Sequence, residues 1–275
     1  MSAAPTQEMP LRRGHNPGGG ATAHGALIVN ADDWGRDRET TTRTLECVRR
    51  GTVSAVSAMV FMEDSGRAAE LARENKVDTG LHLNLTTPFS LASCPARTQE
   101  HQELLSRFLR KGRFSFVIYH PGLSNSFEYV VKTQLDEFRR LYGGEADRID
   151  GHHHMHLCAN VLLANLLPAG TRMRRNFTFA AGEKGFVNRT YREMVDRRLA
   201  RRHLLTDYFF SLPPLEPKER LRRIFASALQ SVVELETHPV NTAEYHFLTG
   251  AEIFRWTDAA RIQSFRSLPA IPAVQ

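Results

Sequence analysis

Cysteine is scarce in this chain. Cys47, Cys94 and Cys158 are the full set, an odd number with no CxxC pair. That leaves no disulfide framework and suggests a reducing, cytoplasmic setting. No apolar run approaches the roughly 20 residues needed for a membrane span. Phosphate loops of the GxxxxGK type are absent, and so is any internal repeat. Residues 1–24 are rich in Gly, Ala, Pro and Thr and carry Arg12 and Arg13, but they lack an apolar segment. They read as a disordered leader, not a secretory signal.

The formal net charge is +6, with arginine dominating. The basic residues are spread over helical stretches such as Arg197, Arg198, Arg201 and Arg202, with acids nearby. A solvated helix face accounts for that pattern, and no nucleic-acid motif accompanies it, so no nucleic-acid partner is expected. At 275 residues the chain is long enough for one large α/β domain with a substantial core, expected over 25–275.

Strands and helices alternate in the pattern. Ala26-Leu27-Ile28-Val29 is a β-type run ending in the polar Asn30-Ala31-Asp32-Asp33, and a helix is predicted from Asp37 to Arg50, stopped by Gly51. A strand at 53–60, a helix at 65–75 and the alternating strand Thr79–Leu85 follow. Residues 88–125 have no clean period and read as a long connection or lid with one or two helices. An amphipathic helix over 127–141 closes at Gly143-Gly144. Later strands are predicted at 171–177, 207–212 and 231–237, separated by helices near 188–203 and 217–230.

About seven strands in βα units argue for a parallel sheet, and the polar residues choose its form. Asp32, Asp33, His82, His152 and His238 all fall at C-terminal ends of different predicted strands. A distorted TIM-like (β/α) barrel keeps its site there, whereas an open sheet gathers ligands at one switch point.

Asp150-Gly151-His152-His153-His154-Met155-His156 is the densest chemical signal. In an extended backbone His152, His154 and His156 would face one way and His153 the other, with a metal as the natural reason to converge them. The Asp32-Asp33 pair gives two carboxylates pointing in different directions, one able to bind metal while the other stays free as a base. One carboxylate and two imidazoles hold a divalent ion with open positions; such a site activates water, while a neighbouring carboxylate and an imidazolium move protons. That is equipment for hydrolysing an amide.

Four segments carry a resemblance: Asn30-Ala31-Asp32-Asp33-Trp34-Gly35, Thr79–Thr86, Asp150–His156 and Glu236-Thr237-His238-Pro239. In this order they resemble the motifs of the YdjC-like carbohydrate deacetylases, including the chitooligosaccharide and hopanoid-associated types. The resemblance implies a barrel that removes acetyl groups from N-acetylated sugars with one divalent metal ion. By matching position, Asp33, His82 and His152 would be metal ligands, Asp32 the general base and His238 the general acid. His154 and His156, with Asn30 and Glu236 of the same motifs, would support the shell or touch substrate.

Trp34 stands where the family usually has Phe, a change expected at the pocket floor. Residues 88–125 match no family pattern, and residues 261–275 offer no clear final strand. A mixed O/N ligand set fits Mg²⁺ or Zn²⁺, and equally Mn²⁺ or Co²⁺. A homodimer is compatible with a broad barrel face, although no interface signal is visible. Two other readings share the ligands. A non-haem metal oxygenase would keep its His and Asp close together in a β-rich fold, unlike the dispersed set here. A non-catalytic sugar-binding barrel would have no use for Asp32.

Overall fold

The computed structural model describes residues 25–112, 114–179, 183–257 and 261–268; the leader expected over 1–24 lies outside them. Seven strands are present: β1 (Ala26–Trp34), β2 (Ala55–Ala58), β3 (Thr79–Leu83), β4 (Arg148–Gly151), β5 (Arg172–Met173), β6 (Tyr208–Ser211) and β7 (Val232–Thr237). The helices are α1 (Arg38–Arg49), α2 (Ser65–Glu74), α3 (Ala96–Arg110), α4 (Ser124–Tyr142), α5 (Ala159–Leu163), α6 (Phe186–Leu199), α7 (Lys218–Ser227), α8 (Thr242–Thr249) and α9 (Glu252–Thr257).

All strand pairs are parallel, in the order β5-β4-β3-β2-β1-β7-β6. That is the chain order wrapped round a ring, as in a TIM-like barrel. The two ends meet through a bridge between Arg172 and Leu204, and Met173 donates to the Leu204 carbonyl at 2.8 Å. Further along the seam Thr178 donates to the Phe209 carbonyl at 2.8 Å. Seven strands thus form a curled, nearly closed sheet, with β5 shortened to two residues where sequence predicts seven.

Alternation sorts each strand between two environments. Leu27, Val29 and Ala31 of β1 pack outward into the main apolar core, joined by Val56, Leu81, Ile149, Val233 and Leu235. The intervening residues carry polar groups: Asn30 and Asp32 of β1, Ser57 of β2, His82 of β3, Arg148 and Asp150 of β4, Glu234 and Glu236 of β7. Hydrogen bonds join these residues across the strands, so they fill the barrel's interior. At its lower end a small apolar cluster of Ile28, Ala55 and Phe265 forms a plug, and the Arg148 guanidinium lies 4.4 Å from the Phe265 ring centroid. Among the described residues there is no eighth strand; Ile262 bridges Leu27, and Phe265 fills the opening.

Gly80 has a specific reason to lack a side chain. A Cβ there would sit 2.8 Å from the Arg148 carbonyl oxygen and from its guanidinium carbon. Glycine lets Arg148 lie across β3 and donate to Asn30 Oδ1 at 2.9 Å and to the Val56 carbonyl at 2.7 Å.

Candidate metal centre

The upper end of β1 departs from strand geometry. Its register against β2 shifts between Ala31 and Trp34, Asp33 has φ 65°, and Gly35 has φ 86°. This bulge overrides the alternation that would send adjacent carboxylates to opposite faces. His82 Nε2 lies 3.4 Å from Asp33 Oδ1 and 3.8 Å from Asp32 Oδ2, so both acids address one imidazole. Trp34 does not form a pocket floor: it is buried in the core and donates from Nε1 to the Ala68 carbonyl of α2.

Asp33, His82 and His152 converge, their ligand atoms all within 4.8 Å of one another. His152 Nδ1 is 2.9 Å from Asp33 Oδ1, and the two imidazole rings meet edge to face with centroids 5.5 Å apart. Asp33 Oδ1 is buried yet has no properly directed hydrogen bond. An orphaned carboxylate oxygen between two imidazole nitrogens is costly unless a cation completes the shell. On the other side of the His82 ring, Nδ1 meets Asp150 Oδ1 at 2.6 Å. A carboxylate on Nδ1 selects the tautomer that frees Nε2 for a metal. The donor set fits a divalent ion.

In its protein surroundings alone, His82 is pushed up to about 10: burial opposes its charge, but the carboxylates of Asp32 and Asp150 outweigh burial. Asp33 likewise stays far below the usual carboxylate range against its burial, through the close approach of His152 and His82. The cluster favours a positive charge among its acids, the role a metal ion takes.

The expectation that Asp32 stays free needs correction. Both its oxygens accept from Arg174, each at 2.7 Å, and Oδ1 also accepts from Asn30 Nδ2 at 2.8 Å. Despite burial, the Arg174 guanidinium holds Asp32 ionised. Arg174 also reaches Asp150 at 3.0 Å and Glu234 at 2.7 Å. Glu236 lies 3.5 Å from Arg174 and beside Asp32; burial and the neighbouring carboxylate raise its pKa well above the ordinary value.

The histidine run is not an extended strand. β4 ends at Gly151, and His152–Leu157 form a tight 3₁₀ turn in which His153 and His154 adopt φ 54° and 58°. Left-handed backbone at two successive residues breaks the alternation. Only His152 reaches the metal cluster. His153 bonds Thr86 Oγ1 at 2.9 Å, and burial lowers it to about 4. His154 packs edge-on against Phe177 and lies 3.7 Å from Glu236; burial and Arg174 lower it to about 3. His156 is fully buried, donates from Nε2 to the Arg174 carbonyl at 2.9 Å and so anchors the arginine's backbone, away from substrate.

His238 follows β7 and is half-buried. Its side chain clusters with Asp32 and Glu236 within 4.8 Å, and its backbone N–H donates to Glu244 at 2.8 Å. The structure thus brings together all the predicted site residues except His156. Sequence reasoning passed over Arg174, Asp150, Arg148 and Glu234. The signal was available in β4 and β7, where charged residues alternate with apolar ones in strands buried on both faces.

A family model described as YdjC-like protein matches residues 26–259. Among curated proteins, the chitooligosaccharide deacetylase of Proteus mirabilis is 32% identical over 132 residues, covering 48% of this chain and 50% of that protein. The carbohydrate deacetylase of Mus musculus is 31% identical over 180 residues, covering 63% and 56% respectively. The chain spans about half the length of the curated relatives it matches. A solved structure from Enterococcus faecalis, described as a candidate cellobiose-phosphate cleavage protein, shares the fold. Its TM-score is 0.63 at 17% identity, covering 90% of this chain and all of that one.

Proposed function

The chain belongs to the YdjC-like family, and on that premise we propose that it is a metal-dependent carbohydrate deacetylase acting on the acetamido group of an N-acetylated sugar. The names of its relatives support the reaction class. The observation that carries it is the orphaned Asp33 Oδ1 facing two imidazole nitrogens, one ring oriented by Asp150.

Asp33, His82 and His152 would hold one Zn²⁺ or Mg²⁺ ion. When bound, the ion supplies Lewis acidity, polarising an amide carbonyl and making a water molecule easier to deprotonate. Asp32 takes the proton from that water. Arg174 fixes the carboxylate's direction but weakens it as a base, so Asp32 carries the proton only briefly. His238 gives a proton to the departing amine. Glu236, its pKa raised well above the ordinary value by burial and by the Asp32 carboxylate, sits next to both. His154, neutral and held against Phe177, forms a wall for the sugar with Asn30 fixed behind Asp32.

Residues 88–125 shape substrate choice in this proposal. They are tied to the site through Ser106, which donates to the Thr86 carbonyl at 2.6 Å, while Thr86 itself bonds His153. Three buried free thiols fit a reducing compartment and support a cytoplasmic setting.

The test is acetate release from N-acetylglucosamine, its β-1,4 oligomers and N-acetylglucosaminyl lipids, with and without chelator. Chelator-sensitive release from at least one is expected. Absence of release from every N-acetyl sugar after metal loading would overturn the reading.

A further inference from the structure

The segment from Glu183 to Arg202 combines dense positive charge with exposed apolar side chains. Seven cations, Lys184 and six arginines, stand against three acids, Glu183, Glu193 and Asp196. The acids already have basic neighbours: Asp196 with Arg175 at 2.9 Å, Glu183 with Arg223 at 3.5 Å and Glu193 with Arg197 at 3.7 Å. The segment therefore holds most of the chain's excess positive charge.

Large apolar side chains stand exposed within it. Phe186 is 80% exposed, Val187 81% and Met194 61%. The opposite side of α6 is an ordinary core face, with Val195 and Leu199 buried and Tyr191 packed against them. Val187, Thr190, Met194 and Arg197 recur at helical spacing along the exposed face, with Arg201 just past its end, so it is apolar towards its start and basic towards its end. A solvated helix face explains the arginines but not the bare phenylalanine beside a bare valine.

The position of this face is equally specific. All strands are parallel, so the chain leaves β5 at the same end of the barrel as Asp33, His152 and His238, and α6 starts on that rim. Lys184, just before the helix, lines a cavity of about 580 Å³ with Phe177, Phe179 and Phe210. Phe177 in turn touches His154.

We propose that the start of α6 docks on an anionic lipid bilayer, with Phe186 and Val187 inserted at the interface and the neighbouring cations Lys184 and Arg189 against the headgroups. Apolar side chains ringed by cations suit that surface, where burial and charge attraction add. A nucleic acid would use the cations and leave the apolar pair idle. Docking turns the catalytic rim towards the membrane. The docking claim stands apart from the deacetylase reading and is tested without an activity assay.

The experiment is co-sedimentation of the full chain with phosphatidylcholine vesicles, with and without phosphatidylglycerol, beside the double variant Phe186→Ser/Val187→Ser. Binding to the anionic vesicles is expected, falling with added salt and about tenfold weaker in the double variant. Thermal melting of the variant is expected to match that of the native chain, because neither side chain is packed. Equal vesicle binding by native and variant protein would overturn the proposal, as would no binding by the native chain. Binding to a single-stranded oligonucleotide in place of vesicles would reassign the face to a polyanion. Self-association abolished by the variant, without vesicle binding, would reassign it to a second copy.

Discussion

Arg174 is the residue on which most of the interior depends. It is fully buried and satisfies Asp32 through two hydrogen bonds, with Asp150 and Glu234 on its other sides. Removing one partner of a buried charge network leaves uncompensated charge, at a cost of about 3–5 kcal/mol. Arg174→Met is accordingly expected to lower the melting temperature, by about 2–4 °C per kcal/mol in a chain of this size. An unchanged melting temperature would mean that the acids find other partners. Asp32 provides a sharper separation of roles. Asp32→Asn keeps the shape of the side chain and removes none of the proposed ligands, so bound metal is expected to stay at native stoichiometry. Turnover is expected to fall by about 10²–10⁴-fold, the range for removal of a general base. Metal analysis beside steady-state acetate release checks both, and loss of metal in this variant would place Asp32 among the ligands.

Among the elements, strands announced themselves through apolar runs and helices through caps. Asp37 accepts from Thr40 N–H at the start of α1, and Gly143 closes α4 in a left-handed conformation, both at places the sequence marks. Local exceptions were not legible. The bulge at Asp32–Asp33 and the left-handed His153-His154 turn each break strand alternation, and no local propensity announces either. Both are held by distant partners: Arg174 on Asp32, Thr86 on His153, Glu236 near His154. The same long-range origin hid Arg174 itself, which lies just past the two-residue strand β5 and meets its acids only when the ring forms. Gly80 shows the reverse, a small residue explained only by what crosses it. Gly80→Ala would force the Arg148 guanidinium and backbone away from β3, since both lie 2.8 Å from the added carbon. Forcing such a shift costs typically about 1–3 kcal/mol. Chemical denaturation is expected to show that loss, and a neutral outcome would mean that β3 can move aside.

For the whole molecule, seven strands in cyclic order form a barrel with an apolar exterior layer and a charged interior. A barrel filled with carboxylates is stable only if matched by cations, and Arg148 and Arg174 match part of that charge. Among the described residues, the buried carboxylate oxygen left without a hydrogen bond is Asp33 Oδ1, at the rim where the C-terminal strand ends converge. Fold and chemistry therefore share one cause: the interior is arranged around a position for positive charge. The most direct measurement is acetate release from a chitooligosaccharide by protein stripped with chelator and titrated with Zn²⁺ or Mg²⁺. Activity should vanish on stripping and return in full at one ion per chain. Release that survives stripping, or that needs two ions, would contradict a single centre at Asp33, His82 and His152.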